Sequence, residues 1–225
     1  MTMIFKDTTT IINSRRPEPA GVGGWRGFRA DLARYQTYHL DRSALSSLLL
    51  NQGLWVLLQY RVTRGLYDSG VPSFLKKPLL VFCVLWQKLI EVLTGVELPY
   101  RATVAPGLFI AHFGPILIHP DAVIGAGCNL CQGVTLGVSG RGSGRGVPTL
   151  GERVYVGANA VIAGPVNVGD DAVISANALV IRDVAPGAVV MGNPAKVVSF
   201  EGSGEYLSPH QPAYMREIKI ANAGE

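Results

Sequence analysis

A six-residue repeat runs through the middle of this chain and limits what the chain can fold into. Every sixth residue is a branched aliphatic, on both sides of one loop: Ile118, Ile124, Leu130 and Leu136, then Leu150, Val156, Ile162, Val168, Ile174 and Val180. Outside the loop, the fourth residue after each is small and mostly apolar: Ala122, Cys128, Val134, Val154, Ala160, Val166, Ala172, Ala178 and Val184. A period of six fits neither a helix nor a single strand, so it predicts short strands joined by corners and stacked as a parallel β-solenoid.

The corners of this solenoid are predicted from a third position in the repeat. The residue before the small position is often of a type that tolerates positive φ: Gly127, Gly133, Asn159, Asp171, Asn177 and Asp183. We therefore expect a tight corner at each of these residues.

The chain has 225 residues, of which 48% are hydrophobic. This is enough for one domain with a sizeable core and a smaller helical appendage. We predict a mobile leader over residues 1–24, an N-terminal helical region over 25–95, the β-solenoid over 96–199 and a tail over 200–225.

Helical patterns precede the repeat. Phe28, Leu32 and Tyr35 share one helical face, with Arg29, Asp31 and Arg34 largely off it. A second apolar stretch covers 45–67 and is broken at Pro72-Ser73, and a third helix is expected over about 78–93, ending at Thr94-Gly95. Charged and amide side chains interrupt both apolar stretches, so neither predicts a transmembrane span. We expect packing against the solenoid or a neighbouring subunit, with shallow membrane contact as the alternative.

Charge and cysteine content exclude some classes of protein. The formal charge is +4, part of it in the arginine-rich leader, and no aromatic and basic motif indicates a nucleic-acid partner. The three cysteines make no disulfide framework and no secretory signal opens the chain, so a cytoplasmic location is expected, with peripheral contact at the inner membrane as a further option. Cys128 falls on an inward position and Cys131 on a corner, which favours packing over a metal site.

The repeat is broken at two places. Ile110 and Ile118 are eight residues apart, so two residues are inserted within 112–115, and such a break is where a functional side chain is most often displayed. The second break, 138–146, is a glycine-rich loop that lacks the Gly-Lys-Ser/Thr ending of nucleotide hydrolases. Its Arg141 and Arg145 either contact an anionic substrate or cofactor phosphate, or are simply solvated.

Four segments of the repeat region stand out: Gly107-Leu-Phe-Ile-Ala-His112, Ile124-Gly-Ala-Gly, Gln132-Gly-Val-Thr-Leu-Gly137 and Gly192-Asn-Pro-Ala-Lys196. They resemble the hexapeptide-repeat acyltransferases, specifically the serine acetyltransferase branch, and the segment 31–35 resembles the leader of that branch's polysaccharide-cluster members. The resemblance covers about residues 28–199. It implies a left-handed parallel β-helix, a homotrimer with active sites between subunits, and acetyl-CoA bound along the groove between coils. The acetyl group would pass to a hydroxyl without a metal or a covalent enzyme intermediate.

The resemblance also assigns roles to residues. A hydroxyl needs a base to remove its proton during transfer, and His112 matches the catalytic histidine of the family. Glu97 matches the acidic residue that orients this imidazole. The expected cofactor contacts are Gly137, Ala158, Ala163, Ala176 and, for the nucleotide phosphates, Lys196. The expected acceptor contacts are His119, Arg141 and Arg145.

The acceptor is inferred from departures from the family pattern. Serine acetyltransferases proper carry an aspartate before the catalytic histidine and an Arg-His-Pro beyond the loop, where this chain has Ala111 and Gly146-Val147-Pro148. Without the cation that would pair with a carboxylate, L-serine should bind poorly. A sugar hydroxyl on a glycan precursor is therefore the first expectation, and L-serine the alternative.

Two other classes of protein use the same solenoid. A γ-type carbonic anhydrase needs three histidines that converge on zinc, and only His112 and His119 lie in the coils. A purely structural solenoid needs no displaced histidine with an acidic partner.

Overall fold

The computed structural model describes residues 23–38 and 43–207. In this part of the chain, helices come first, a β-solenoid follows, and a short helix α5 (Gly204–Leu207) ends it. The first helices are α1 (Gly24–Tyr38), α2 (Ala44–Leu50), α3 (Gln52–Asp68) and α4 (Ser73–Thr94). Most of the expected leader and tail lie outside the described residues, and the division at residues 95 and 199 stays a prediction.

The solenoid has three sheets of short strands, in which neighbouring strands are three apart in the chain up to β13, and β14 and β15 extend the third sheet. Sheet A contains β1 (Val96–Glu97), β4 (Ile116–Ile118), β7 (Thr135–Gly137), β10 (Val161–Ala163) and β13 (Leu179–Val180). Sheet B contains β2 (Thr103–Val104), β5 (Val123–Ile124), β8 (Thr149–Leu150) and β11 (Asn167–Val168). Sheet C contains β3 (Phe109–Ile110), β6 (Asn129–Leu130), β9 (Tyr155–Val156), β12 (Val173–Ile174), β14 (Val189–Met191) and β15 (Lys196–Ser199). All these pairings are parallel except that between β14 and β15.

The repeat produces the core as predicted. The branched aliphatics at every sixth position and the small residues four positions later are all buried. Register explains this, because equivalent residues of successive coils are direct partners, as in Ile118 with Leu136 and Leu136 with Ile162. Each inward column is therefore a continuous apolar stack.

The corners adopt positive φ at most of the predicted residues. Gly127, Gly133, Asn159, Asp171 and Asn177 have φ between 58° and 77°. The prediction is wrong at Asp183, whose carboxylate instead accepts a hydrogen bond from the backbone N–H of Asn167 at 2.8 Å.

One corner is built from an unexpected residue type. Arg153 has φ of 53°, in the left-handed region that arginine rarely occupies. Its guanidinium lies 2.7 and 2.8 Å from the two carboxylate oxygens of Asp171 on the next coil. This bidentate pair holds the corner.

An ion pair joins the helices to the first coil. Asp31, expected largely off the packed face of α1, is fully buried and pairs with Arg61 of α3 at 2.8 Å. Arg61 also donates to the carbonyls of Val104 and Ala105, while Asp31 accepts from the N–H groups of Gly107 and Leu108. The spacing of apolar residues in α1 did not predict that Asp31 is buried, because its hydrogen-bond partners come from distant parts of the chain.

Two tyrosines satisfy backbone groups at the open end of the solenoid. The Tyr35 hydroxyl donates to the carbonyl of Ile110 and accepts from its N–H. The Tyr60 hydroxyl likewise donates to the carbonyl of Ala102 and accepts from the N–H of Val104. Helices α1 and α3 therefore cover strand edges that would otherwise be open to pairing with another chain.

The helix boundaries differ in part from those expected. The stretch over 45–67 is two helices, α2 and α3, that meet at Asn51, and α4 begins at Ser73 with Pro78 inside it. Helix α4 ends at Gly95, which caps it with φ of 72° as predicted. Among the described helices, none is both long and apolar enough to cross a bilayer.

Candidate active site

The corner from sheet C to sheet A holds the irregular step of the first coil. Strand β3 ends at Ile110 and β4 begins at Ile116, and His112 and Phe113 lie between them on an exposed bend. After the bend, the N–H of Gly114 donates to Thr94 at 3.4 Å and that of Ile116 donates to Gly95 at 3.1 Å. The extra residues are thus displaced outward while the coil on either side keeps its register, as predicted.

Glu97 lies on strand β1 of sheet A, one coil below β4. It is exposed on β1, its Cα is paired with that of Leu117, and it follows the Gly95 turn that packs under Gly114. No hydrogen bond or ion pair joins the Glu97 carboxylate to the His112 imidazole within the described residues. On α4, the hydrogen bond and charge of Glu91 raise the pKa of Lys88, and Glu97 adds to that effect. The His112–Glu97 dyad therefore stays a prediction.

Gln132 is a polar residue at this corner that sequence reasoning missed. Its side chain packs on Gly114, where an added Cβ would lie 3.1 Å from Gln132 Cβ. Gln132 Oε1 is buried without a hydrogen-bond donor. Buried acceptors rarely lack a donor, so the bend offers an acceptor to a group that approaches it. The sequence hint for Gln132 is that its equivalents on the next two coils, Ala158 and Ala176, are both alanine, so a long amide side chain departs from the pattern.

The predicted cofactor residues fall into two groups. Ala158 and Ala176 lie above Gln132 on successive coils, and the N–H of Asn177 donates to the Ala158 carbonyl at 2.8 Å. Lys196 is exposed on β15, opposite Met191. Gly137 and Ala163 are direct partners at the other edge of sheet A. The structure brings three of the five residues to the His112 corner.

The predicted acceptor residues lie at the second edge of sheet A, where the chain turns into sheet B. His119 Nδ1 accepts from the N–H of Asp121 at 3.1 Å, and the Asp121 carboxylate lies 3.9 Å from the same nitrogen. The glycine-rich loop leaves at this edge, closes through a bridge between Ser139 and Gly146, and exposes Arg141 and Arg145.

His112 and the loop arginines therefore lie at opposite edges of sheet A. A strand of three to five residues separates two corners by on the order of 15 Å. Within one chain, strand β4 therefore lies between the His112 bend and the edge from which the loop leaves. Two chains packed side by side, corner to corner, would bring the two groups together.

Cys128 and Cys131 are buried in the second coil. Cys128 Sγ donates to the carbonyl of Gly151 at 3.2 Å, and Cys131 Sγ lies 3.4 Å from the Tyr155 hydroxyl. Burial raises the pKa of Cys128 to about 12 and also raises that of Cys131. Both are packing thiols, and among the described residues no group of three histidine, cysteine or carboxylate side chains is arranged to hold a metal ion.

Comparison with known proteins supports the resemblance. The family model "Bacterial transferase hexapeptide (six repeats)" matches residues 148–182. The chain is 36% identical over 161 residues to a serine acetyltransferase of Synechococcus elongatus, covering 72% of this chain and 63% of that protein. It is 36% identical over 158 residues to a serine acetyltransferase of Helicobacter pylori, covering 70% and 88%.

Solved structures agree. Serine acetyltransferase of Neisseria gonorrhoeae in complex with serine matches with a TM-score of 0.64 and 29% identity, over 77% of this chain and 68% of that chain. A serine acetyltransferase in complex with CoA matches with a TM-score of 0.63 and 27% identity, over 77% and 68%. The fold is thus the predicted left-handed parallel β-helix.

Proposed function

Because this chain belongs to the serine acetyltransferase family, we propose that it transfers an acetyl group from acetyl-CoA to the hydroxyl of L-serine. The observation that carries the proposal is the irregular bend that displays His112, in a chain aligned with 88% of the Helicobacter pylori serine acetyltransferase. The relatives give no support to the polysaccharide-cluster subtype, so L-serine replaces a sugar as the first candidate acceptor. The chain spans only 63% of the Synechococcus relative, and its own activity therefore needs direct measurement.

In the proposed reaction His112 is the base. The acceptor oxygen forms a bond to the thioester carbonyl carbon, and the carbon–sulfur bond breaks. His112 takes the proton of the hydroxyl and then returns it to the leaving thiolate, so the imidazole ends unchanged. Histidine suits both steps because an imidazole side chain can both accept and release a proton near neutral pH.

Glu97 is proposed as a positioning residue. It is exposed on sheet A one coil below the strand that follows the His112 bend, and an orienting carboxylate would stabilise the protonated imidazole. Replacing Glu97 by glutamine should lower kcat and leave the KM for L-serine and for acetyl-CoA nearly unchanged, because the residue acts through His112 and not on the substrates. A rise in KM with kcat unchanged would contradict the positioning role, and a fall in melting temperature with the same loss of rate would indicate a role in folding.

Acetyl-CoA is proposed to bind along the corner above His112. Ala158 and Ala176 leave room for a ligand to approach the backbone there, and Lys196 supplies a cation for the phosphates. Gly137 and Ala163 would serve the same purpose at the opposite edge, on the neighbouring copy.

A homotrimer is proposed as the assembly. The outer face of sheet C is covered, since Phe109 stacks on Tyr38 of α1 at 4.3 Å. The outer face of sheet A, by contrast, presents exposed apolar side chains such as Leu117. Contact through this face would bring the His112 corner of one copy to the loop edge of the next.

A sugar hydroxyl remains a second candidate acceptor because of one observation. Gly146 occupies the place of the arginine expected in serine acetyltransferases, and a Cβ there would lie 2.6 Å from Pro165 Cβ. The loop therefore excludes an arginine at this residue without a backbone shift. If L-serine binds, its carboxylate must find another cation, such as Arg141 or Arg145.

The test is thiol release from acetyl-CoA with L-serine and with a panel of sugars. L-serine should support the fastest turnover, and His112→Ala should lower it by roughly 100 to 10,000-fold. Glu201→Gln, an exposed change away from both corners, is the control. Turnover with sugars but not with serine would show that the acceptor is a sugar and would not contradict the role of His112. Equal rates for wild type and His112→Ala would show that His112 is not the base.

A further inference from the structure

Helix α4 turns apolar side chains away from the rest of the chain. Its buried residues are Cys83, Gln87, Ile90 and Thr94, and Gln59 of α3 donates to the carbonyl of Cys83 at 3.4 Å. An ordinary surface helix has its polar face in water. On α4 the side chains in water are instead large and apolar, and nine of them, called here the apolar face of α4, are 48 to 84% exposed: Phe74, Leu75, Leu79, Val81, Phe82, Leu85, Leu89, Val92 and Leu93.

The apolar face is one continuous sector of the helix. At about 100° per residue its members span about 160° of the helix surface, and from first to last they extend about 28 Å along the axis. Phe82, Leu85, Trp86 and Leu89 line a shallow groove within it. A contiguous exposed apolar surface of this extent is typical of a site that contacts a protein or a membrane.

A row of lysines borders the apolar face on one side. Lys77 and Lys88 are eleven residues apart, which is about three helical turns, so both lie along the same border. Both are exposed, and Lys88 also pairs with Glu91, whose side chain is only 15% exposed. Lys76 does not belong to the row, because its Nζ donates to backbone carbonyls at the end of α3.

An anionic lipid surface matches this combination of side chains. A helix that lies in a membrane interface places Trp, Phe and Leu toward the acyl chains and its lysines toward the headgroups. A lysine at the border lays its methylene groups over apolar surface while its ammonium reaches a lipid phosphate. The first turn of α4 has no acidic residue, and Glu91 lies behind the lysine row, toward the buried side of the helix.

A second copy of α4 matches the lysine row less well. In an antiparallel pair of helices related by a two-fold axis, each border of one helix meets the same border of its partner. The two lysine rows would then face each other, and like charges repel. Anionic headgroups supply the opposite charge along the whole row.

We propose that the chain binds the surface of an anionic lipid membrane through α4, with the apolar face among the acyl chains and Lys77 and Lys88 at the headgroup phosphates. The helix then lies in the plane of the interface, with its apolar face about 5 to 10 Å deep. The solenoid stays in water. This contact does not depend on the proposed function.

Flotation of the full chain with lipid vesicles tests the contact. The wild type should float with vesicles of phosphatidylcholine and phosphatidylglycerol, and it should bind vesicles of phosphatidylcholine alone more weakly. Leu85→Glu places a charge in the middle of the apolar face and should abolish flotation. The double variant Lys77→Gln/Lys88→Gln keeps the apolar face and should weaken binding to the anionic vesicles by roughly 10-fold.

Phe200→Glu is the matched control for Leu85→Glu. Phe200 is 67% exposed and Leu85 64%, and Phe200 follows β15 at the other end of the solenoid. The control should float as the wild type does. Thermal melts of all variants show whether each one folds.

Trp86 gives a second readout that needs no charge in the apolar face. Its fluorescence emission should shift to shorter wavelength when anionic vesicles are added, because the groove that it lines leaves water. The shift should be smaller in Trp86→Phe. An equal shift in Trp86→Phe would mean that another part of the chain meets the lipid, and would overturn the proposal.

Two results of the flotation experiment would also overturn the proposal. One is a wild type that does not float with anionic vesicles, and the other is equal flotation of wild type and Leu85→Glu. If the wild type does not float and Leu85→Glu lowers the mass measured by light scattering without lipid, the apolar face joins copies of the chain instead.

Discussion

Asp31 and Arg61 form an ion pair that water does not reach, and its partners lie on two helices and on the first coil. Burial raises the pKa of the Asp31 carboxyl, while the hydrogen bond and charge of Arg61 and two backbone N–H groups oppose that rise. Such a pair adds little net stability over apolar side chains, but removing one partner leaves a buried charge unpaired.

Asp31→Asn should therefore lower the free energy of unfolding by about 3 kcal/mol. Urea denaturation followed by circular dichroism measures it. The double change Asp31→Leu with Arg61→Leu should cost less than Asp31→Asn, since it leaves no charge behind. Equal stability of Asp31→Asn and wild type would mean that the pair is not buried in solution.

Asp171 offers a contrasting pair at the surface. The Arg153 hydrogen bond and charge hold the pKa of the Asp171 carboxyl below its ordinary value. A lowered pKa stabilises the fold at pH values above the unfolded pKa, and this stabilisation is lost as the pH falls through the folded pKa.

Asp171→Asn keeps a residue that tolerates positive φ and removes only the charge. It should cost no more than about 1 kcal/mol at pH 7, because the pair is exposed. The difference from wild type should disappear as the pH falls below the lowered pKa. A difference that persists in acid would assign the loss to the corner geometry instead of the charge.

At the scale of the element, the corner is the unit that repeats. A corner needs positive φ, and it also needs space under the next coil. Gly133 meets both demands, with φ of 77° and a Cβ position only 1.9 Å from Asn159 Oδ1. Gly144 in the loop is under neither constraint: its φ is not positive, and no atom lies within 4 Å of its Cβ position.

Gly133→Ala should thus destabilise the protein by roughly 1 to 3 kcal/mol, and Gly144→Ala should change stability by less than about 0.5 kcal/mol. Thermal melts of the two variants, each compared with wild type, measure the difference. Similar melting temperatures would mean that the corner relaxes without cost.

At the scale of the whole molecule, the two edges of sheet A separate the base from the loop. His112 and the loop arginines lie at different edges of the sheet within one chain, and the proposed assembly would bring them together between copies. Active sites would then belong to pairs of chains.

Mixing two inactive variants tests this arrangement. His112→Ala chains and Arg141→Ala/Arg145→Ala chains, refolded together in equal amounts, should recover about a quarter of wild-type activity, because one site in four pairs an intact histidine with an intact loop. Each variant refolded alone is the control. Recovery no greater than the mean of the two alone would place the site within one chain.

The sequence by itself determined the solenoid. Its six-residue period constrains every coil locally, so the inward columns, most corners and the outward step at His112 could be predicted from residue type and spacing. A glycine after the last apolar helical residues also indicated Gly95 as the cap at the end of α4.

Tertiary structure decided what depends on groups far apart in the chain. Asp31 is buried with Arg61 as its partner, Arg153 at its left-handed corner donates to Asp171 on the next coil, and the Gln132 side chain packs on Gly114 with its Oε1 buried and without a donor. The separation of the two edges of sheet A, and the outward face of α4, likewise follow from how the elements pack. Residue spacing records local periodicity, whereas these contacts arise only when distant segments meet.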